Sequence, residues 1–100
     1  MNLNELTLKQ SLDGLKKRQF SALDLTKACL KQIQLEDPKL KAFITVTEKL
    51  AFEDAAKADQ TRNKPSLNGI PFSVKDVFLT KGIKTTVASK VLADFIPPYD

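Results

Sequence analysis

Histidine is absent from these 100 residues, and cysteine occurs once, at Cys29. A histidine-bearing metal site and a Ser-His-Asp triad are therefore excluded within the chain, and no internal disulfide can form. Long hydrophobic runs are also missing. The longest are three residues, as at Val77 to Leu79, whereas a membrane span needs about 20. Between residues 76 and 100 Gly82 is the only glycine, so no run of the Gly-Ser-Ser-Gly-Gly kind occurs there. The opening MNLNELTLKQ has no charged-then-apolar signal pattern, which leads us to expect a cytoplasmic protein.

The composition is that of an ordinary globular chain, 42% hydrophobic and 28% charged. Its length allows one small domain. Sixteen Lys and Arg against twelve Asp and Glu leave a net charge of +4. That bias permits a nucleic-acid partner without arguing for one.

Periodicity divides the chain into helices, then strands. Thr7 and Gln10 have capping-box spacing, and Leu8, Leu12 and Leu15 follow at i, i+4, i+7. Gly14 weakens this helix, and Lys16-Lys17-Arg18 closes it with charge that suits the helix dipole. Ser21 and Asp24 open a second helix. Its broad apolar face carries Leu23, Leu25, Cys29, Leu30 and Ile33, with Lys27, Lys31 and Gln34 opposite. Asp37-Pro38 is expected to end it. Residues 42–46 (AFITV) read as a short strand, and 48–62 as a third helix with Ala51, Ala55 and Ala58 on one face. A loop over 63–68, a strand from Gly69, a turn at Lys81-Gly82, a strand over 83–87 and a short helix from Ser89 to Phe95 complete the reading. The fold class expected is α/β: helices at the N-terminal side plus first strands, incomplete in this chain. We expect residues 1–100 to form part of one domain, with no boundary inside it.

Within the apolar stretch GIPFSVKDVFL, Ile70, Phe72 and Val74 share one strand face, and Ser73 and Lys75 the other. Two readings of Lys75 stand. If both faces are covered, the ammonium is desolvated. Desolvation favours the neutral amine, a usable general base. If the strand is an edge, Lys75 points into water and guards against aggregation. Asp76 is expected to hold the strand end through backbone hydrogen bonds. Thr85 and Thr86 are expected to be strand residues with satisfied hydroxyls, and Cys29 a small core residue.

Gly69-Ile70-Pro71-Phe72-Ser73-Val74-Lys75-Asp76 resembles the lysine motif of the amidase signature family. The continuation Thr80-Lys81-Gly82-Ile83-Lys84-Thr85-Thr86, Ala88-Ser89-Lys90 and Pro97-Pro98-Tyr99-Asp100 is similar to the branch of that family that serves tRNA-dependent transamidation. The resemblance covers essentially the whole chain. It implies an α/β/α fold, of which this is the N-terminal part, and a Ser-cisSer-Lys apparatus in which Lys75 is the catalytic lysine. The lysine hydrogen-bonds a middle serine, which relays the proton of a nucleophilic serine. That nucleophile attacks the side-chain amide of glutamine and releases ammonia. Both family serines lie downstream of the lysine in a Gly-Ser-rich signature absent here. No serine of this chain is therefore assigned as nucleophile, and the chain alone is expected to be inactive.

The same resemblance implies partners: the other subunits of a heterotrimeric amidotransferase, and tRNA through the complex. ATP and Mg2+ are used by a partner subunit, and no cofactor or metal is expected in this chain. No membrane association is expected. Alternatives are a stand-alone amidase of the same family, or a non-catalytic helical adaptor with a solvated Lys75.

Overall fold

A computed structural model describes residues 2–61, 66–76, 78–87 and 89–100. After a 3-10 turn at Leu3–Glu5 come three helices, α1 Leu8–Lys16, α2 Ala22–Leu40 and α3 Glu48–Gln60. The chain falls into two compact units, Met1–Ala42 with Thr47–Pro71 and Phe43–Val46 with Phe72–Asp100.

The first unit is helical, and its helix starts follow the local sequence. At α1 the Thr7 hydroxyl accepts from the Gln10 amide at 3.1 Å, and the Gln10 side chain accepts from the Thr7 amide at 2.9 Å. At α2 Ser21 and Asp24 repeat the exchange at 3.0 and 3.1 Å. Each box satisfies two helix-end amides reciprocally. A third acceptor comes from far along the chain. The Asp59 carboxylate of α3 takes the amides of Ala22 at 2.7 Å and Leu23 at 3.2 Å. A negative group at the positive end of α2 is favourable, and it fastens α3 to α2.

Between α1 and α2 the chain reverses through a left-handed Arg18, φ 55°. The Arg18 amide donates to the Leu15 carbonyl at 3.2 Å and the Gln19 amide to the Gly14 carbonyl at 2.9 Å. This paired pattern is a Schellman ending with arginine where glycine is usual. It brings the Phe20 ring down on Gly14. The helix-weakening glycine is thus the seat of an aromatic ring.

The core of this unit is made of Leu15, Ala22, Leu25, Ala55 and Ala58, with Leu3, Leu6, Phe20, Leu23 and Ile70 packed on it. Ala55 and Ala58 form the expected small-residue face. Of the leucines expected to be inward in α1, Leu15 is buried, Leu12 half-buried and Leu8 exposed. On α2 the expected apolar face is half-buried apart from fully buried Leu25, and Thr26 joins the core.

Pro38 does not end α2 where expected. The helix runs on to Leu40 and closes at Lys41, φ 51°. Proline removes one amide donor from the last turn, and the two amides that follow the helix both find acceptors on Asp37. The Lys41 amide donates to the Asp37 carbonyl at 2.6 Å, and the Asp37 carboxylate accepts from the Ala42 amide at 2.7 Å.

The strands expected at 42–46, from Gly69 and at 83–87 are not formed among the described residues. The one ladder element is an isolated antiparallel bridge between Thr80 and Ile83. A β-branched segment becomes a strand only when a neighbour accepts and donates along its edge. Here these segments stay irregular. The last short helix is likewise replaced by turns: Leu92 donates to the Ser89 carbonyl, Ala93 to Lys90 and Phe95 to Leu92. Ser89 still acts as a cap, its hydroxyl accepting from the Val91 amide at 3.2 Å. The loop expected over 63–68 lies partly outside the described residues.

Candidate active site

The stretch carrying the lysine begins in the helical unit. Gly69 follows a turn in which the Ile70 amide donates to the Leu67 carbonyl at 3.3 Å. Its φ is +89°, and an added Cβ would lie 3.2 Å from the Ala22 Cβ and 3.3 Å from Leu15 Cδ1. The torsion favours glycine, and a side chain there would press on Ala22 and Leu15. The Asn68 side chain donates to the Ala58 carbonyl at 3.2 Å, tying this turn to the end of α3. Ile70 then packs on the helical core.

In the second unit, Phe72 is 85% exposed and Val74 52%. The expected sharing of one buried face by Ile70, Phe72 and Val74 therefore stops at Ile70. Ser73 and Lys75 are exposed as well. A strand face is covered only once paired neighbours carry a layer over it, and no such pairing is present among the described residues.

The backbone beneath Lys75 is well anchored. The Lys75 carbonyl accepts from the Phe78 amide at 3.1 Å, closing a turn whose second residue is Asp76. The Asp76 carboxylate accepts from the Thr86 amide at 2.8 Å and, on its other oxygen, from the Thr86 hydroxyl. The Asp76 carbonyl accepts from the Val87 amide at 3.0 Å. The neighbouring Thr85 hydroxyl reaches the carbonyls of Phe78 and Ile83, both at 3.4 Å. Thr85 is 2% exposed and Thr86 6%. Asp76 thus has the holding role expected of it, and both threonine hydroxyls are satisfied, outside any strand. The pairing of Asp76 with Thr86 is what sequence reasoning missed. Its only sequence signal is the short polar residues interrupting apolar stretches ten positions apart.

Further bonds hold the segment that supplies the threonines. Gly82 donates to the Pro97 carbonyl and Thr85 to the Phe95 carbonyl, each at 3.0 Å. The Lys81 amide donates to the Asp100 carboxylate at 2.8 Å. The turn at Lys81-Gly82 is present as expected, with the Ile83 amide on the Thr80 carbonyl at 3.1 Å and Gly82 at φ +76°. Pro97 is fully buried. Among the described residues no group of three His, Cys, Asp or Glu stands together to hold a metal ion. None of the described helices is long and apolar enough to cross a membrane.

Residues 24–100 match the Amidase family, and the chain belongs to that family. Its similarity is to the A subunit of glutamyl-tRNA(Gln) amidotransferase in particular. The protein of that name from Geotalea daltonii is 48% identical over 103 residues, covering 100% of this chain and 21% of the relative. Those from Geobacter metallireducens and Acinetobacter baumannii are 45% and 43% identical, with 21% of each relative covered. The chain therefore spans about a fifth of the length of the curated relatives it matches. No solved structure matches it at a significant level.

Proposed function

We propose that this chain is the lysine-bearing N-terminal part of the glutaminase subunit of a tRNA-dependent amidotransferase, and that Lys75 is its catalytic lysine. The supporting observation is whole-chain similarity to the amidotransferase relatives, with Lys75-Asp76 seated on an anchored turn. In this reading residues 1–100 belong to one amidase domain, and the segments 42–46, 69–76 and 83–87 pair as strands within it. Lys75 Nζ hydrogen-bonds a serine supplied by the Gly-Ser-rich signature of the family. That serine takes the proton of the nucleophile as it attacks the amide carbon of glutamine, and ammonia leaves. The ammonia serves conversion of Glu-tRNA(Gln) to Gln-tRNA(Gln) in a cytoplasmic heterotrimer whose partner subunit uses ATP and Mg2+. The chain alone, without the serines, has no hydrolytic activity.

A second reading, a non-catalytic helical adaptor, is favoured by one observation, the exposure of Lys75. The two are separated by a chimera in which this chain replaces the matching fifth of the Geotalea daltonii relative, assayed for glutamine hydrolysis with its partner subunits. The catalytic reading expects activity that Lys75→Ala abolishes. Equal activity with lysine and alanine overturns the catalytic role, and a wild-type chimera without activity overturns the assignment to this reaction.

A further inference from the structure

We propose that Asp76 and Thr86 are positioning residues that fix the backbone from which Lys75 projects. The inference rests on the catalytic reading of Lys75 and adds to it a role for Asp76 and Thr86. A lysine side chain has four rotatable bonds, so its amine reaches a given point reproducibly only if the backbone beneath it does not move. Bonds from Thr86 and Val87 secure residue 76 through both side chain and backbone: the Thr86 amide at 2.8 Å on one carboxylate oxygen, the Thr86 hydroxyl on the other, and the Val87 amide at 3.0 Å on the Asp76 carbonyl.

The carboxylate is engaged from both oxygens by one residue, which restricts rotation as well as distance. Bonds to an ionised carboxylate are roughly twice as strong as neutral ones. Thr86 is 6% exposed, so water competes poorly for the bond. The opposite wall is held in turn. The Thr86 carbonyl accepts from the Ser89 amide at 2.8 Å, and Val87 between them sits at φ 51°, a left-handed torsion that a β-branched residue adopts only under constraint. The strained residue is the one whose amide grips the Asp76 carbonyl.

Two measurements test this. In the 100-residue chain, the Thr86 amide is expected to exchange with solvent at least tenfold more slowly than in the Asp76→Ala chain, which has no side-chain acceptor at that position. Equal rates would show that the bond is absent and overturn the proposal outright. In the chimera described above, Thr86→Val removes the hydroxyl at nearly constant shape, and Thr86→Ser restores it. Thr86→Val is expected to lower kcat/KM about tenfold or more and to move the acid limb of its pH profile, where the base must lose its proton; Thr86→Ser returns both toward wild type. A loss of folded protein alone lowers the amplitude and leaves the limb in place, and that pattern refutes positioning. Lys75→Ala in the same chimera separates the two ideas. Activity surviving Lys75→Ala overturns the catalytic reading. Activity lost in Lys75→Ala with an unchanged profile in Thr86→Val overturns the positioning role alone.

Discussion

Gly14→Ala sets two effects of similar size against each other. Glycine in a helix interior is about 1 kcal/mol less favourable than alanine, so propensity alone expects the substitution to stabilise α1 by that amount. Packing expects the reverse. A Cβ at residue 14 would lie 2.2 Å from Phe20 Cζ and 2.3 Å from Cε2, well inside contact distance. The ring must swing off the helix. Full burial of a large apolar side chain is worth about 1.5–3 kcal/mol, and overpacking of a filled site typically costs about 1–3 kcal/mol. Phe20 is half-buried and packs on the core, so most of that range is at stake. We expect packing to win, with Gly14→Ala destabilising by about 1–2 kcal/mol net.

The discriminating experiment is a double-mutant cycle followed by urea unfolding and far-UV circular dichroism. With Phe20→Ala already in place the ring is gone, and Gly14→Ala is expected to stabilise by about 0.5–1 kcal/mol. The coupling between the two sites is then about 1.5–3 kcal/mol. A midpoint that rises for Gly14→Ala in the wild-type background would refute the reasoning. So would a coupling indistinguishable from zero, since it would mean that the ring does not rest on residue 14.

Asp59→Ala removes a carboxylate holding two α2 amides and is expected to destabilise by about 1–2 kcal/mol in the same urea assay, with Asp59→Asn intermediate. Arg18→Gly places the residue that a Schellman ending prefers at φ 55° and is expected to raise stability by about 0.5–1 kcal/mol. Burial pushes the Cys29 thiol above its ordinary value. The unfolded chain therefore loses this proton first. The contribution to stability is fully present below the unfolded value and declines as pH rises through the folded one. Alkylation at moderately alkaline pH is accordingly expected to be slower in the folded chain than in urea, with the gap closing as pH climbs.

The helical half of the molecule was legible because its signals are local. Thr7 with Gln10, and Ser21 with Asp24, lie three residues apart, and a capping box needs nothing from elsewhere. Ala55 and Ala58 were readable as a close-packing face for the same reason, by helical spacing. Asp59 was not, because its partners Ala22 and Leu23 are backbone amides 37 and 36 residues away. Pro38 misled because a proline in the last turn forfeits only one bond, its own missing amide, and the Asp37 side chain ties down the Ala42 amide just beyond the helix end. The strands failed for a different reason. Ala42-Phe43-Ile44-Thr45-Val46 has strand chemistry, but pairing is a property of two segments and is not written in either one. At the lysine, the family motif was readable residue by residue, whereas the grip of Thr86 on Asp76 depends on how the chain turns between them.

The two units are ordered by different physics, and the lysine stands on the more directional one. Every hydrophobic side chain in the buried core cluster, from Leu15 to Ala58, belongs to the helical unit. In the other unit the buried residues include Thr85, Thr86 and Pro97, while Phe72, Phe78 and Val91 are 85%, 63% and 92% exposed. Apolar burial is non-directional and supplies stability in proportion to area. Hydrogen bonds contribute about 1 kcal/mol each but fix angles and distances. A turn held by Asp76, Thr85 and Thr86 is therefore well defined in geometry and modest in stability. If Lys75 has the catalytic role proposed for it, that combination suits a segment that must place one amine. It also makes loss of a single polar atom, as in Thr86→Val, a larger perturbation at this site than loss of an exposed aromatic ring such as Phe72.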